Sequence, residues 1–159
     1  MNAESEERND DPAPRRIDPP LLLITVLLVL AVAAFFTVRP WRRSQVAWGS
    51  DLSAALVEAR KSGRPVFVEV YAEWCGPCKQ MERDTFSEAD VGRALAPLNP
   101  VRLDDDKADV QRQMAAWGAM ALPTHLLIEP NGRVHAQTLG YMPPPEFLEW
   151  LRRGTGSGL

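Results

Sequence analysis

Two cysteines are all that this chain of 159 residues carries, and they stand three positions apart, at Cys75 and Cys78. So few thiols exclude a secreted disulfide framework and a four-thiolate zinc site within one chain. Histidine is as scarce: His125 and His135 are the only other soft ligands, so no metal is expected. No strongly basic block occurs and the formal net charge is -3, which gives a nucleic-acid partner little electrostatic support. The length suits one globular domain with short extra segments and is too small for two ordinary domains.

Residues 1–20 are rich in Asp, Glu, Arg and Pro, with Ile17 as the one aliphatic side chain larger than alanine. Such a stretch buries too little surface to offset its ordering entropy and reads as a disordered tail. Residues 21–38 then run without a charge, between Pro19-Pro20 and Arg39-Pro40-Trp41-Arg42-Arg43. At about 1.5 Å per residue this makes roughly 27 Å of helix, near the lower limit for a bilayer span. Trp41 beside arginines suits an interfacial anchor. A buried core helix should show a polar face, and this run has none. A cleaved signal peptide is the alternative, with Arg15 and Arg16 ahead of the run and Ala31-Val32-Ala33 as a small-residue site. Apolar residues continue past that site through Phe35, Phe36 and Val38, which favours a retained anchor. Both readings leave the N-terminus in the cytoplasm and put the chain after residue 40 on the extracytoplasmic, periplasmic side of the inner membrane. Residues 39–47 form a linker, 48–153 the folded domain and 154–159 a flexible tail.

Within the folded part, helix and strand patterns alternate. Ser50 is placed to cap a helix in which Leu52, Ala55, Leu56 and Ala59 share a face, ended by Ser62-Gly63. Residues 66–71 form a short apolar run, expected as a strand covered on both faces. A helix should start at Cys75, break near Thr85-Phe86, and restart with Ser87 as cap and Asp90 three residues on. Residues 101–103 predict a second strand, and Asp106 is placed to cap a helix with Val110, Met114 and Trp117 on one face. Residues 124–128 and 134–139 predict two strands joined at Asn131-Gly132, a pair that accepts the positive φ of a tight turn. Phe147, Leu148 and Leu151 mark a last helix. The order predicts an α/β fold with a central mixed sheet flanked by helices, preceded by one N-terminal transmembrane helix.

Cys75-Gly76-Pro77-Cys78 follows a predicted buried strand and opens a predicted helix, the setting in which such a pair is redox-active. Unpaired N–H groups and the positive dipole end favour a thiolate at Cys75, which makes it the nucleophile. Cys78, one turn on, can close a disulfide and release a substrate from a mixed disulfide. A static disulfide is the alternative for a bare pair of this spacing. Glu69, inside an apolar strand, should have its pKa raised by desolvation and so be in range to take the Cys78 proton through water. It could instead be a partner for Lys79 or Arg102. Trp74 offers a flat apolar surface beside the nucleophile, whereas Tyr71 and Trp117 suit the core. The Asp104-Asp105-Asp106 run reads as a solvated loop leading into a helix cap, in preference to a calcium site.

The segment Val68-Glu69-Val70-Tyr71-Ala72-Glu73-Trp74-Cys75-Gly76-Pro77-Cys78-Lys79 resembles the active-site segment of thioredoxins, and the likeness runs from about Trp48 to Arg153. Thr85-Phe86-Ser87 and the helix after it look like the C-terminal thioredoxin-like domain of the DsbD-type membrane reductases. The resemblance implies a cis proline at Pro123, within Leu122-Pro123-Thr124, opposite the dithiol. It also implies a substrate surface of Trp74, Gly76, Pro77, Leu122, Pro123 and Thr124. Glu69 departs from the pattern, since thioredoxins commonly carry aspartate there. The implied activity is protein-disulfide reduction with no cofactor beyond the Cys75-Cys78 disulfide, on protein disulfide substrates, with electrons from a membrane donor of the DsbD type. Gly-Pro between the cysteines resembles reducing thioredoxins, near about -270 mV, against about -120 mV for the oxidant DsbA. An oxidase or isomerase, and a substrate-binding or chaperone module, are the rival functions.

Overall fold

The computed structural model describes residues 19–38 and 44–156. The expectations for the N-terminal tail, for Trp41 and its neighbouring arginines, and for the last three residues lie outside them. The chain divides into two units, Met1–Pro40 and Trp41–Leu159. In the first, helix α1 covers Pro19–Val38. It begins two residues ahead of the expected start, because proline's fixed φ and missing N–H are tolerated in a first turn. Its side chains from Leu22 to Ala34 are exposed. Among the described residues no helix is long and apolar enough to cross a membrane, so the expected span is met as a helix only.

In the second unit, α2 (Leu52–Ser62) is capped by Asp51 and not by Ser50. The Asp51 carboxylate accepts from the Ala54 amide at 3.0 Å, the N3 donor that a side chain one residue earlier does not reach. Gly63, at φ 71°, closes the helix in the left-handed region. Strand β1 (Val66–Tyr71) leads into α3 (Gly76–Gln80), which continues as a π-helical turn over Met81–Thr85. There follow α4 (Ala89–Leu95), β2 (Asn99–Asp104) and α5 (Ala108–Trp117). Strands β3 (Thr124–Ile128) and β4 (Val134–Leu139) and helix α6 (Pro144–Gly154) complete the unit.

The sheet order is β2-β1-β3-β4, with β1 parallel to β2 and antiparallel to β3. Gly132, at φ 90°, turns β3 back into β4. Ahead of α2, Gly49 exchanges backbone hydrogen bonds with Pro100 and Arg102, which covers the outer edge of β2. Alternate residues of β1 serve two cores. Val66, Val68 and Val70 pack with Leu52, Ala59, Val110 and Met114 from α2 and α5. Phe67 packs with Met81, Phe86, Leu95, Phe147 and Leu151 from the opposite layer. This two-sided burial is why the run is almost continuously apolar. Glu69 is the exception, fully buried on the Phe67 face.

Two further caps differ from expectation. Lys107, not Asp106, precedes α5, and it makes no side-chain cap. The Asp106 carboxylate is taken up by a tertiary partner, the indole N–H of Trp74. Ser87 does not cap α4 either, whose N-cap is Glu88. The Ser87 hydroxyl donates backward to the Arg83 carbonyl at 2.7 Å, at the end of the π-helical turn.

Candidate active site

The end of β1 delivers the chain to Cys75, whose amide donates to the Ala72 carbonyl. Cys75 is the N-cap of α3: its backbone is extended (φ -77°, ψ 108°) and its sulfur accepts from the Cys78 amide at 3.1 Å. Pro77 sits in the first turn, where its missing N–H costs nothing. A disulfide joins Cys75 to Cys78. Once the pair is reduced, an amide aimed at the Cys75 sulfur and the open end of the helix both favour a thiolate there. Cys78, one turn inside, is 1% exposed.

On the Cys75 side lies a depression of about 320 Å³, walled by Trp74, Gly76, Pro77, Met120 and Leu122. Trp74 is 69% exposed and Met120 92%, both unusual for large apolar side chains. Trp74 is held by its indole N–H, which donates to Asp106 Oδ1 at 3.0 Å. The Leu122-Pro123 peptide is cis, as the resemblance implied. Of the three residues Leu122-Pro123-Thr124, only Leu122 lines the depression. Pro123 and Thr124 are buried and do not line it. The Thr124 hydroxyl donates to the Ala121 carbonyl at 2.6 Å, and the Pro123 carbonyl accepts from Gly140. Met120 carried no sequence signal beyond its position just ahead of that segment.

On the Cys78 side is a second cavity, of about 490 Å³, bounded by Cys78, Tyr71, Lys79, Glu82, Arg83 and Arg102. Arg102 organises it. Its Nε lies 2.8 Å from Glu69 Oε2 and its Nη1 2.7 Å from Glu82 Oε2, and its guanidinium sits 4.2 Å over the Tyr71 ring. The Glu69 contact is a charge pair without hydrogen-bond alignment, since neither carboxylate oxygen has a properly directed donor. Burial is the largest influence on Glu69, and with a smaller push from Glu82 it raises the pKa to about 8 against the opposing pull of Arg102. Of the two partners considered for Glu69, Arg102 is the one in contact, and Lys79 lines the cavity. The carboxyl communicates with the cavity at Cys78 through the guanidinium and does not itself form its wall. Glu82 was missed in the sequence, although its place four residues after Cys78 puts both on one helical face.

The geometry is that of a cysteine pair with one residue lining an apolar depression and the other a charged cavity. A thioredoxin-like domain model matches residues 52–155, well over half of the chain. The chain belongs to the thioredoxin-like family. This thioredoxin-like chain is 30% identical to the thiol:disulfide interchange protein DsbD of Escherichia coli K12, over 80% of its own length and 26% of the relative's. It therefore spans about a quarter of the curated relatives it matches. Among solved structures, a Thermus thermophilus thioredoxin superposes with a TM-score of 0.64 at 26% identity, covering 72% of this chain and 91% of that one. The oxidised C-terminal domain of Neisseria meningitidis DsbD gives a TM-score of 0.60 at 25% identity, covering 68% and 99%. Membership of this thioredoxin-like family, with the Cys75-Cys78 pair in place, supports thiol-disulfide oxidoreductase activity.

Proposed function

We propose that the dithiol reduces disulfides of extracytoplasmic proteins, with electrons supplied by the thiols of a membrane donor of the DsbD type. The observation that carries this reading is the division of a nearly buried disulfide between two environments: Cys75, 4% exposed, lines an apolar depression, and Cys78, 1% exposed, lines a charged cavity. The Cys75 thiolate attacks a substrate disulfide, forming a mixed disulfide and releasing one substrate sulfur as a thiolate that takes a proton from water. Cys78 then loses its proton and attacks Cys75 Sγ. The second substrate sulfur leaves, and two electrons have passed to the substrate while Cys75-Cys78 is oxidised. Glu69 is the proposed acceptor of the Cys78 proton, connected to it through the Arg102 cavity. Trp74, Gly76, Pro77 and Leu122 form the surface against which the substrate lies, with the buried Pro123 and Thr124 following Leu122 in the chain.

Equilibration with glutathione tests the direction. A potential near about -270 mV supports a reductase, whereas one above about -180 mV replaces it with an oxidase or isomerase. Helix α1, twenty residues long with no charge, is proposed as the attachment to the inner membrane, with the thioredoxin-like unit on the periplasmic side. Protease added to intact spheroplasts should digest the thioredoxin-like unit, and protection until lysis would reverse the orientation.

A further inference from the structure

His125 belongs to no part of the mechanism above, yet it is fully buried and sits beside the proton acceptor. In the antiparallel pairing of β1 with β3, its register partner is Glu69. Directly opposed residues of such a pair share one sheet face with their Cβ atoms about 4.5–5.5 Å apart. The imidazole is packed among Phe67, Phe86, Phe147 and Trp150, with ring centroids between 6.1 and 6.5 Å away. Its Nε2 lies 3.3 Å from the Gly140 carbonyl oxygen. A carbonyl only accepts, so Nε2 carries the hydrogen and Nδ1 of the neutral ring presents a bare lone pair. That Nδ1 is buried without a hydrogen-bond partner, and so are both oxygens of Glu69. Orphaned polar atoms on two facing residues are costly unless they serve each other.

We propose that His125 is a positioning residue for Glu69, its Nδ1 accepting the hydrogen of the Glu69 carboxylic acid across one buried water. The role rests on the proposed proton transfer from Cys78 and deepens it. When the Cys78 thiol gives its proton to the Glu69 carboxylate, a thiolate and a neutral acid form, and His125 stabilises that acid without taking the proton. The groups facing Glu69 are Arg102 from β2, Glu82 from the π-helical turn and His125 from β3. Arg102 favours the carboxylate, Glu82 and His125 the acid. Burial keeps the His125 pKa down at about 4, so the ring remains a neutral acceptor throughout the working range.

The test is a carbon-13 NMR titration of the Glu69 carboxyl in the full chain, assigned by its disappearance in Glu69→Gln. His125→Phe fits the aromatic surroundings but cannot accept a hydrogen bond. It should lower the Glu69 midpoint by roughly half to one pH unit, the size of one lost hydrogen bond to the acid. A ring that merely fills space gives the opposite sign, because a more apolar neighbour raises the midpoint. His125→Gln, which keeps an acceptor, should recover part of the shift. In the wild type, the Nδ1 nitrogen-15 resonance should move as Glu69 titrates, a readout that needs no variant. A midpoint unchanged or raised in His125→Phe, or an Nδ1 resonance indifferent to pH across that range, overturns the proposal. Disulfide turnover measured on the same samples keeps the two readings apart. Absence of turnover in every sample, wild type included, removes the oxidoreductase reading, while the titration still decides the pairing.

Discussion

The two sulfurs of one disulfide look out on different surroundings. Cys75 faces a shallow depression made of Trp74, Pro77, Met120 and Leu122, with large apolar side chains left in solvent. Cys78 faces a cavity in which Arg102 is clamped between Glu69 and Glu82. An apolar, exposed wall gains free energy when another protein covers it, and it does little for a proton. A half-buried ion cluster around one fully buried carboxyl acts differently: it adjusts which groups are charged. On the proposed function, recognition and proton handling are separated across a distance of one helical turn, and each can be perturbed alone.

The most drastic perturbation removes either sulfur. Cys75→Ser should abolish turnover and all covalent complexes, whereas Cys78→Ser should accumulate mixed disulfides visible on non-reducing gels. Greater alkylation of Cys78 than of Cys75 at neutral pH would invert the roles. Next in size, Glu69→Gln should slow the second step by up to roughly a hundredfold, the low end of what a positioned base contributes, and leave the first attack by Cys75 nearly intact. A base must be ionised to act, so the wild-type second step should accelerate with pH up to about 8 and level off there. Rapid-mixing kinetics with a model disulfide check both statements; an unchanged second step at pH 7 would reduce Glu69 to a structural residue.

The same carboxyl has a stability signature of definite sign. Its folded pKa of about 8 lies above the ordinary value of 4.5, so the folded state holds a proton that the unfolded state has lost between those values. Stability should therefore decline as pH rises through that window. Glu69→Gln should remove the decline, raising Tm at pH 9 relative to wild type and changing it little at pH 4. His125 acts on the acid side: its folded pKa of about 4 lies below 6.5, so stability falls as pH drops between them. The contributions oppose each other where the windows overlap, and thermal melts should show a plateau between about pH 4.5 and 6.5.

Changes on the recognition side should be smaller and confined to binding. Trp74→Ala should raise KM for protein substrates by about tenfold, the order of one aromatic anchor, and leave the pH profile of the second step in place. Asp106→Ala releases the Trp74 indole at the cost of one exposed hydrogen bond, worth about 0.5–1.5 kcal/mol. Its effect on KM should be the least of the series. A shifted pH profile in either variant would show that the two sides are coupled after all.

Much of the frame was legible in the chain because it is written in short-range patterns. The bounds of β1, β3 and β4 follow from apolar runs and from the turn at Asn131-Gly132. The helix opening at Cys75 and its interruption near Thr85 also agree with the structure. The caps were less legible: Ser50 stands beside Asp51, an equally suitable cap, and the N-caps expected at Ser87 and Asp106 fall one residue later, at Glu88 and Lys107, with no side-chain cap. The side chains of Ser87 and Asp106 follow whichever partner the fold presents, Trp74 for Asp106 and the Arg83 carbonyl for Ser87. Glu69 was recognisable as a carboxyl in an apolar strand, but two cations competed as its partner until the sheet register decided for Arg102.

Local pattern was enough to set the dithiol and its spacing, the alternation of strands and helices, and the placing of one carboxyl among buried residues, since each depends on neighbours a few positions away. The surroundings of that carboxyl were left to the tertiary fold. Arg102 and His125 lie 33 and 56 positions from Glu69 along the chain, and strand pairing makes them its two lateral neighbours. A register shift of one residue would turn both to the opposite face of the sheet. The charge state of the buried site is therefore a property of strand pairing, which no local pattern encodes.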